Sequence, residues 1–142
     1  MIYFDSAYLA KFYLAEPESE RVHQAAEAEG AVGCSVFGRA ETLSVFHRKL
    51  REGAVDPKVF NALCAQFAAD GEAGLWSWLP LSEAVLDTVE RRYRRLPAVV
   101  FLRSADAVHL ATAAENGFRE IFSNDRHLLA AAPQFGLKGR SL

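Results

Sequence analysis

Short apolar runs alternate with helical segments along the chain, and this alternation restricts the possible folds more than any other feature. The predicted strands are Ile2 to Phe4, Ala31 to Ser35, Leu75 to Leu81 and Glu120 to Ser123, with a last strand near Leu137. Segments with apolar residues at helical spacing separate these runs. Strands that alternate with helices indicate a parallel sheet whose two faces are both covered. We therefore predict an α/β fold.

The length of the chain fits one domain with a substantial core, and we expect residues 1–142 to form a single domain. We find no internal repeat, low-complexity tract or interdomain linker in the sequence. The formal net charge of -2 does not by itself indicate a nucleic-acid partner.

We expect a cytoplasmic protein that does not interact with a membrane. No apolar run approaches the length needed to span a bilayer. The start of the sequence lacks the basic-then-apolar order of a signal peptide. Cys34 and Cys64 are isolated in the sequence, which favours reduced, buried cysteines over a disulfide or a zinc site.

The segment Leu102 to Ala114 combines an apolar helix with a carboxylate. Its alanines, valine and leucine make the predicted helix apolar on nearly every side, so we expect it to be buried. Ser104 is predicted to cap the helix, Asp106 lies in the first turn, and His109 follows one turn later. A buried carboxylate is costly unless it is paired or binds a metal, so Asp106 requires a partner.

Four acidic residues are predicted to share one edge of the sheet. Asp5 ends the first strand, and Asp125 lies just beyond the fourth strand. Asp106 is at a helix start, and Glu41 lies in the second turn of the helix that follows the second strand. Ligands of open α/β sheets bind at the carboxyl ends of the strands. Carboxylates that lie together raise one another's pKa, and a hard cation such as Mg²⁺ or Mn²⁺ removes that conflict.

Each of these residues also has another interpretation. Asp125 is equally suited to cap a helix, and Glu41 alone fits an exposed helix position, although its apolar neighbours favour a buried helix. His109 is interpreted as a core histidine with satisfied hydrogen bonds.

The sequence does not favour an enzyme that forms a phosphoaspartate at Asp5. A phosphoaspartate phosphatase would need a second Asp two residues after Asp5, where Ala7 stands.

Four segments, in order along the chain, resemble those of PIN domains, and more narrowly those of VapC-type toxins of toxin–antitoxin pairs. They are YFDSAYLAKFYLAE (Tyr3 to Glu16), SVFGRAETLSVFHR (Ser35 to Arg48), LRSADAVHLATA (Leu102 to Ala113) and FSNDRHLL (Phe122 to Leu129). Each segment alone is a weak match, whereas four of them at family-like spacing are specific.

The resemblance implies a three-layer α/β/α fold around a mainly parallel sheet and an endoribonuclease that depends on Mg²⁺ or Mn²⁺. It gives catalytic and metal-binding roles to Asp5, Glu41, Asp106 and Asp125, with Ser6 and Ser123 as supporting hydroxyls. It also implies inhibition by a cognate VapB-type antitoxin, and a homodimer. The alternative is a PIN-like domain that binds RNA or a protein without cutting RNA.

Three residues near the predicted site are candidates for contacts with an RNA substrate. Arg103 precedes Asp106, Arg95 ends an arginine-rich segment, and His127 is close to Asp125. Arginine binds phosphate well. The alternative interpretation of the arginines is a solvated helix face.

Overall fold

The computed structural model of this protein describes residues 1–142. The elements are β1 (Ile2–Tyr3), α1 (Ser6–Tyr13), α2 (Ser19–Glu29), β2 (Val32–Ser35), α3 (Phe37–Arg51), α4 (Pro57–Glu72), β3 (Trp76–Leu79), α5 (Glu83–Tyr93), α6 (Ser104–Glu115), β4 (Glu120–Phe122), α7 (Arg126–Ala131), a 3₁₀ turn (Ala132–Phe135) and β5 (Lys138–Arg140). Each predicted strand is present, and the first four are shorter than predicted.

All strand pairs are parallel. β1 pairs with β2, β2 pairs with β3, and β4 pairs with β5. A parallel bridge between Phe4 and Phe122 joins the end of β1 to the end of β4. The strands therefore follow the order β3-β2-β1-β4-β5, with β1 in the centre, and the predicted α/β fold with a parallel sheet is confirmed.

Two separate hydrophobic cores lie on the two faces of this sheet. Successive strand residues point to opposite faces, so Tyr3 packs with α5, α6 and α7, whereas Phe4 packs with α1 to α4. Ile121 of β4 belongs to the first core, and the neighbouring Phe122 packs against the second. This alternation produces the three layers, helices on sheet on helices.

The strand order reverses between β1 and β4. From β1 the chain adds β2 and then β3 on one side, and it then returns to place β4 on the other side of β1. Ligands of open α/β sheets bind at the carboxyl ends of the strands where the order reverses in this way. Asp5 follows β1, and Ser123 follows β4, so both residues lie at this point.

Two local predictions about helices were wrong. Ser104 does not cap α6, because the helix begins at Ser104 and the N-cap is Arg103, which forms no side-chain cap bond. The helix that carries Glu41 is not largely buried, since only Gly38, Thr42 and Phe46 of α3 are buried.

Both cysteines are free, as predicted, with Cys34 buried and Cys64 half-buried. No helix combines the length and the apolarity that a membrane span needs.

Gly38 allows α3 to lie directly against the sheet and α6. A Cβ atom at this position would lie 2.5 Å from Sγ of Cys34 on β2 and 3.4 Å from the ring of His109 on α6. Because Cys34 and His109 are both buried, neither can move away easily.

We predict that Gly38→Ala lowers the free energy of unfolding by about 1–3 kcal/mol, because the added methyl overpacks the interface. A Gly→Ala change at an open helix position would instead stabilise the helix by about 1 kcal/mol. Urea denaturation of the wild type, Gly38→Ala and Cys34→Ala/Gly38→Ala measures the effect. The double variant should be more stable than Gly38→Ala, since it lacks the sulfur that the methyl contacts. Equal stability of Gly38→Ala and wild type contradicts this packing.

Candidate active site at the carboxyl edge of the sheet

All four predicted acidic residues line one open cavity of about 720 Å³ at the carboxyl edge of the sheet. Its walls are formed by the starts of α1 and α6, by one face of α3 and by the residues that precede α7. The polar and charged lining residues are Asp5, Ser6, Glu41, Ser44, Arg48, Arg103, Asp106, Asn124 and Asp125. The tertiary structure thus brings together residues that are up to 120 positions apart in sequence, from Asp5 to Asp125.

Asp5 is the most deeply buried of these carboxylates. It is the N-cap of α1, where Oδ1 accepts a hydrogen bond of 3.1 Å from the backbone N–H of Tyr8. The hydroxyl of Ser123 donates to Oδ2. Burial raises the pKa of Asp5 to about 6, although His109 and the donors from Ser123 and Tyr8 act in the opposite direction.

Asp125 both caps a helix and lines the cavity. Its Oδ1 accepts from the backbone N–H groups of His127 and Leu128, at 2.7 and 3.3 Å, in the first turn of α7. Burial opposes the ionised form, but the two N–H donors and Arg103 outweigh it and hold the pKa of Asp125 below its usual value. The cap interpretation and the site interpretation of Asp125 are therefore compatible.

Arg103 connects two of the carboxylates. Its Nε donates to Oδ2 of Asp106 at 2.9 Å, and its Nη2 donates to Oδ2 of Asp125. Asp106 is buried in the first turn of α6, so Arg103 provides the partner that its burial requires. The Arg103 side chain itself is 55% exposed.

Glu41 has a different partner, the buried His109 of α6. Nε2 of His109 lies 2.6 Å from Oε2 of Glu41, and Nδ1 lies 2.9 Å from the hydroxyl of Tyr3. Burial disfavours a charge on the ring, but Tyr3, Cys34 and Glu41 outweigh it and hold the pKa of His109 well above its usual value. Both ring nitrogens have partners, as expected of a core histidine, and its carboxylate partner is Glu41.

The donor set fits a hard divalent cation in its chemistry. Four carboxylates face one cavity, and Mg²⁺ and Mn²⁺ prefer such oxygen ligands. As the side chains are placed, no three acidic, histidine or cysteine groups are close enough to hold a metal ion together. Arg103 accounts for part of this, since it lies between Asp106 and Asp125.

The remaining predicted site residues differ in position. Ser6 lines the cavity. Ser123 does not line it, but its hydroxyl donates to Asp5, which does. Arg95 is exposed beyond the end of α5, and His127 packs beside Phe101 with the ring centres 4.7 Å apart. Neither Arg95 nor His127 lines the cavity, so a contact with RNA there remains a prediction for both.

Two lining residues of α3, Ser44 and Arg48, were not predicted. They follow Glu41 by three and seven positions, which places all three on one face of the helix. Helical spacing from Glu41 is the sequence signal that could have identified them. Arg48 forms none of the ion pairs of the structure.

Comparisons with known proteins agree with this architecture. The sequence model of the PIN domain matches residues 2–133. Ribonuclease VapC47 of Mycobacterium tuberculosis (strain CDC 1551 / Oshkosh) is 30% identical over 142 residues, which cover 96% of this chain and 93% of the relative. A solved structure of FitAB bound to an IR36 DNA fragment is similar with a TM-score of 0.72, covering 99% of this chain and 94% of that chain. Its sequence identity is 17%, so this likeness concerns the fold alone.

The raised pKa of Asp5 predicts how stability varies with pH without a divalent metal. The folded protein keeps the Asp5 proton up to about pH 6, whereas the unfolded chain loses it near pH 4. Stability that comes from this group is therefore present below about pH 4 and is lost as the pH rises to about 6, by at most about 3 kcal/mol.

Asp5→Asn removes the ionisation and should be about 2–3 kcal/mol more stable than the wild type at pH 7. At pH 4 the two proteins should be nearly equal. Urea denaturation of both proteins in EDTA at the two pH values measures the difference. A difference that does not change with pH contradicts the raised pKa of Asp5.

Proposed function

The chain belongs to the PIN-domain family and is homologous to a VapC-type ribonuclease, and we propose that it is a metal-dependent endoribonuclease acting as the toxin of a type II toxin–antitoxin pair. The observation that carries this proposal is the convergence of Asp5, Glu41, Asp106 and Asp125 on one cavity where the strand order reverses. Four carboxylates in one cavity disfavour a small apolar ligand, because such a ligand offers them no hydrogen bonds or positive charge.

The proposed metal ligands are Asp5, Glu41, Asp106 and Asp125. When bound, Mg²⁺ or Mn²⁺ activates a water molecule and neutralises charge on the phosphate and on the leaving oxygen. The chain's own contribution is to orient these carboxylates. Ser123 holds one oxygen of Asp5, and the backbone N–H groups at the start of α7 hold one oxygen of Asp125. These donors fix the side chains before substrate binds.

Positive charge at the cavity wall favours an anionic substrate. RNA carries a charge on each phosphate, which a purely acidic cavity would repel. Arg48 lies on the same face of α3 as Glu41 and has no carboxylate partner, so its guanidinium is free to bind a phosphate. Arg103 can contribute in the same way once it releases Asp106 and Asp125. We propose that both arginines contact the RNA backbone.

We propose a VapB-type antitoxin as the protein partner, within the cytoplasm. Val59, an exposed apolar side chain of α4, supports a protein-binding surface. Val59 lines an open groove together with Phe12, Tyr13 and Leu63, which are half-buried. An amphipathic helix is the kind of segment that such a surface binds.

We also propose a homodimer. It is supported by exposed apolar residues on α5 and in the segment that follows it. Leu86 lies on α5, and Val99 and Phe101 lie in that segment, with Val99 92% exposed. Side chains of this kind are costly to leave in water, and a second copy would cover them.

Cleavage of RNA tests the enzymatic proposal. The wild type should cut a labelled structured RNA with Mn²⁺ or Mg²⁺ and not in EDTA. Asp106→Asn should lower the cleavage rate by at least about 100-fold, because loss of a ligand costs more than loss of a residue that supports a ligand. Asp87→Asn, a change at an exposed position of α5, is the matched control and should cleave like the wild type. Equal rates for wild type and Asp106→Asn would favour the non-cleaving, RNA- or protein-binding alternative.

The role of Arg48 is tested by salt. Arg48→Gln should raise KM and leave kcat nearly unchanged, since a phosphate contact outside the reacting group contributes uniform binding. The slope of log KM against log salt concentration should fall by about 0.7, the value for one single-strand phosphate contact. Arg119→Gln is the control, because Arg119 is an exposed arginine before β4, at the opposite edge of the sheet. Identical salt slopes for Arg48→Gln and Arg119→Gln rule out the contact.

A further inference from the structure

A buried chain of hydrogen bonds runs from the sheet to Glu41. The backbone N–H of Ser35, at the end of β2, donates to the hydroxyl of Tyr3 at 3.0 Å. That hydroxyl lies 2.9 Å from Nδ1 of His109, and Nε2 of His109 lies 2.6 Å from Oε2 of Glu41. Ser35, Tyr3 and His109 are all buried, so the chain links a fixed strand backbone to a carboxylate at the cavity wall.

The His109 ring has little room to move. The ring of Tyr3 meets it edge to face, with centres 6.0 Å apart and planes at 80°. On another side, the backbone of α3 at Gly38 is so close that a Cβ there would lie 3.4 Å from Cε1 of His109. A ring held in this way presents Nε2 in one direction.

Glu41 gains its orientation from this ring. An ionised carboxylate only accepts hydrogen bonds, so the proton between the two groups is on Nε2 of His109, and Nε2–H donates to Oε2. Oε1 accepts no side-chain or backbone hydrogen bond, and Glu41 lines the cavity. The glutamate side chain would otherwise rotate freely on a helix face that is largely exposed.

We propose that His109, backed by Tyr3, is a positioning residue that holds Oε2 of Glu41 and thereby directs Oε1 towards a divalent cation. This role rests on the proposed function. Partners that orient a metal ligand in this way commonly change metal affinity by 10–100-fold when they are replaced.

Binding of Mn²⁺ alone, followed by titration calorimetry, tests the role apart from catalysis. His109→Leu should weaken Mn²⁺ affinity by about 10-fold or more. His109→Gln should restore much of the affinity, because its amide N–H can donate to Glu41 from a similar reach. Thr112→Val is the control, since Thr112 is buried on the same helix and its hydroxyl has no hydrogen-bond partner. It should bind Mn²⁺ like the wild type.

A double-mutant cycle separates positioning from general support of the fold. If His109 acts through Glu41, then His109→Leu should change Mn²⁺ affinity less than about twofold when Glu41 is already Gln. Additive losses from the two changes would overturn the inference, because they would mean that His109 does not act through Glu41.

The position of the proton gives a further readout that does not depend on metal. Long-range ¹H–¹⁵N correlations of histidine-labelled, metal-free protein should show His109 protonated on Nε2. A proton on Nδ1 alone overturns the inference, as does wild-type affinity for Mn²⁺ in His109→Leu.

Failure of this inference and failure of the proposed function give different results. If the wild type binds Mn²⁺ but His109→Leu binds equally well, only this inference fails. If the wild type neither binds Mn²⁺ nor cleaves RNA, the proposed function fails as well.

Discussion

The central position of β1 places a carboxylate where the sheet is most enclosed. β1 is hydrogen-bonded to β2 on one side, and Phe4 joins it to β4 on the other. The next residue, Asp5, is therefore buried between two strands and two helical layers. Burial of an ionised group is costly, and hydrogen bonds from Tyr8 and Ser123 offset only part of that cost, as the raised pKa of Asp5 indicates. Such a position is poor for stability and well suited to binding a cation.

The other three carboxylates avoid the same cost in different ways. Asp125 is stabilised by the N-terminus of α7, Asp106 by the guanidinium of Arg103, and Glu41 by His109. Two of these partners, Arg103 and His109, come from α6 and its N-cap, and Arg103 also donates to Asp125, so the positions of Asp106 and Asp125 are linked. A like-charged cluster can persist in a folded protein when each of its members has a hydrogen-bond donor or a positively charged partner. The proposed metal would then compete with Arg103 for Asp106 and Asp125. It would not displace Ser123 from Asp5 or His109 from Glu41.

Most of the fold, and the four acidic residues that share the candidate site, were predictable from the sequence. The order of strands and helices followed from local periodicity, and the acidic residues were recognisable at strand ends and helix starts. Capping was less predictable. Asp125 caps its helix, as its position suggests, whereas Ser104 does not. α6 begins one residue earlier than predicted, and the side chain of its N-cap residue, Arg103, donates to Asp106 and Asp125 instead of capping the helix.

The sequence by itself determined which residues carry charge, which segments form helices and strands, and which carboxylates follow strands. Those features depend on side-chain chemistry and on spacing within one element. Only the tertiary structure decided that β4 lies beside β1, that His109 meets Glu41 from 68 positions away, and that α3 leaves much of its surface exposed. The physical reason is that these contacts depend on how whole elements pack against one another. Helices pack on both faces of the sheet, and α3 lies close to β2 and α6 at Gly38. No pattern within a single element records that packing.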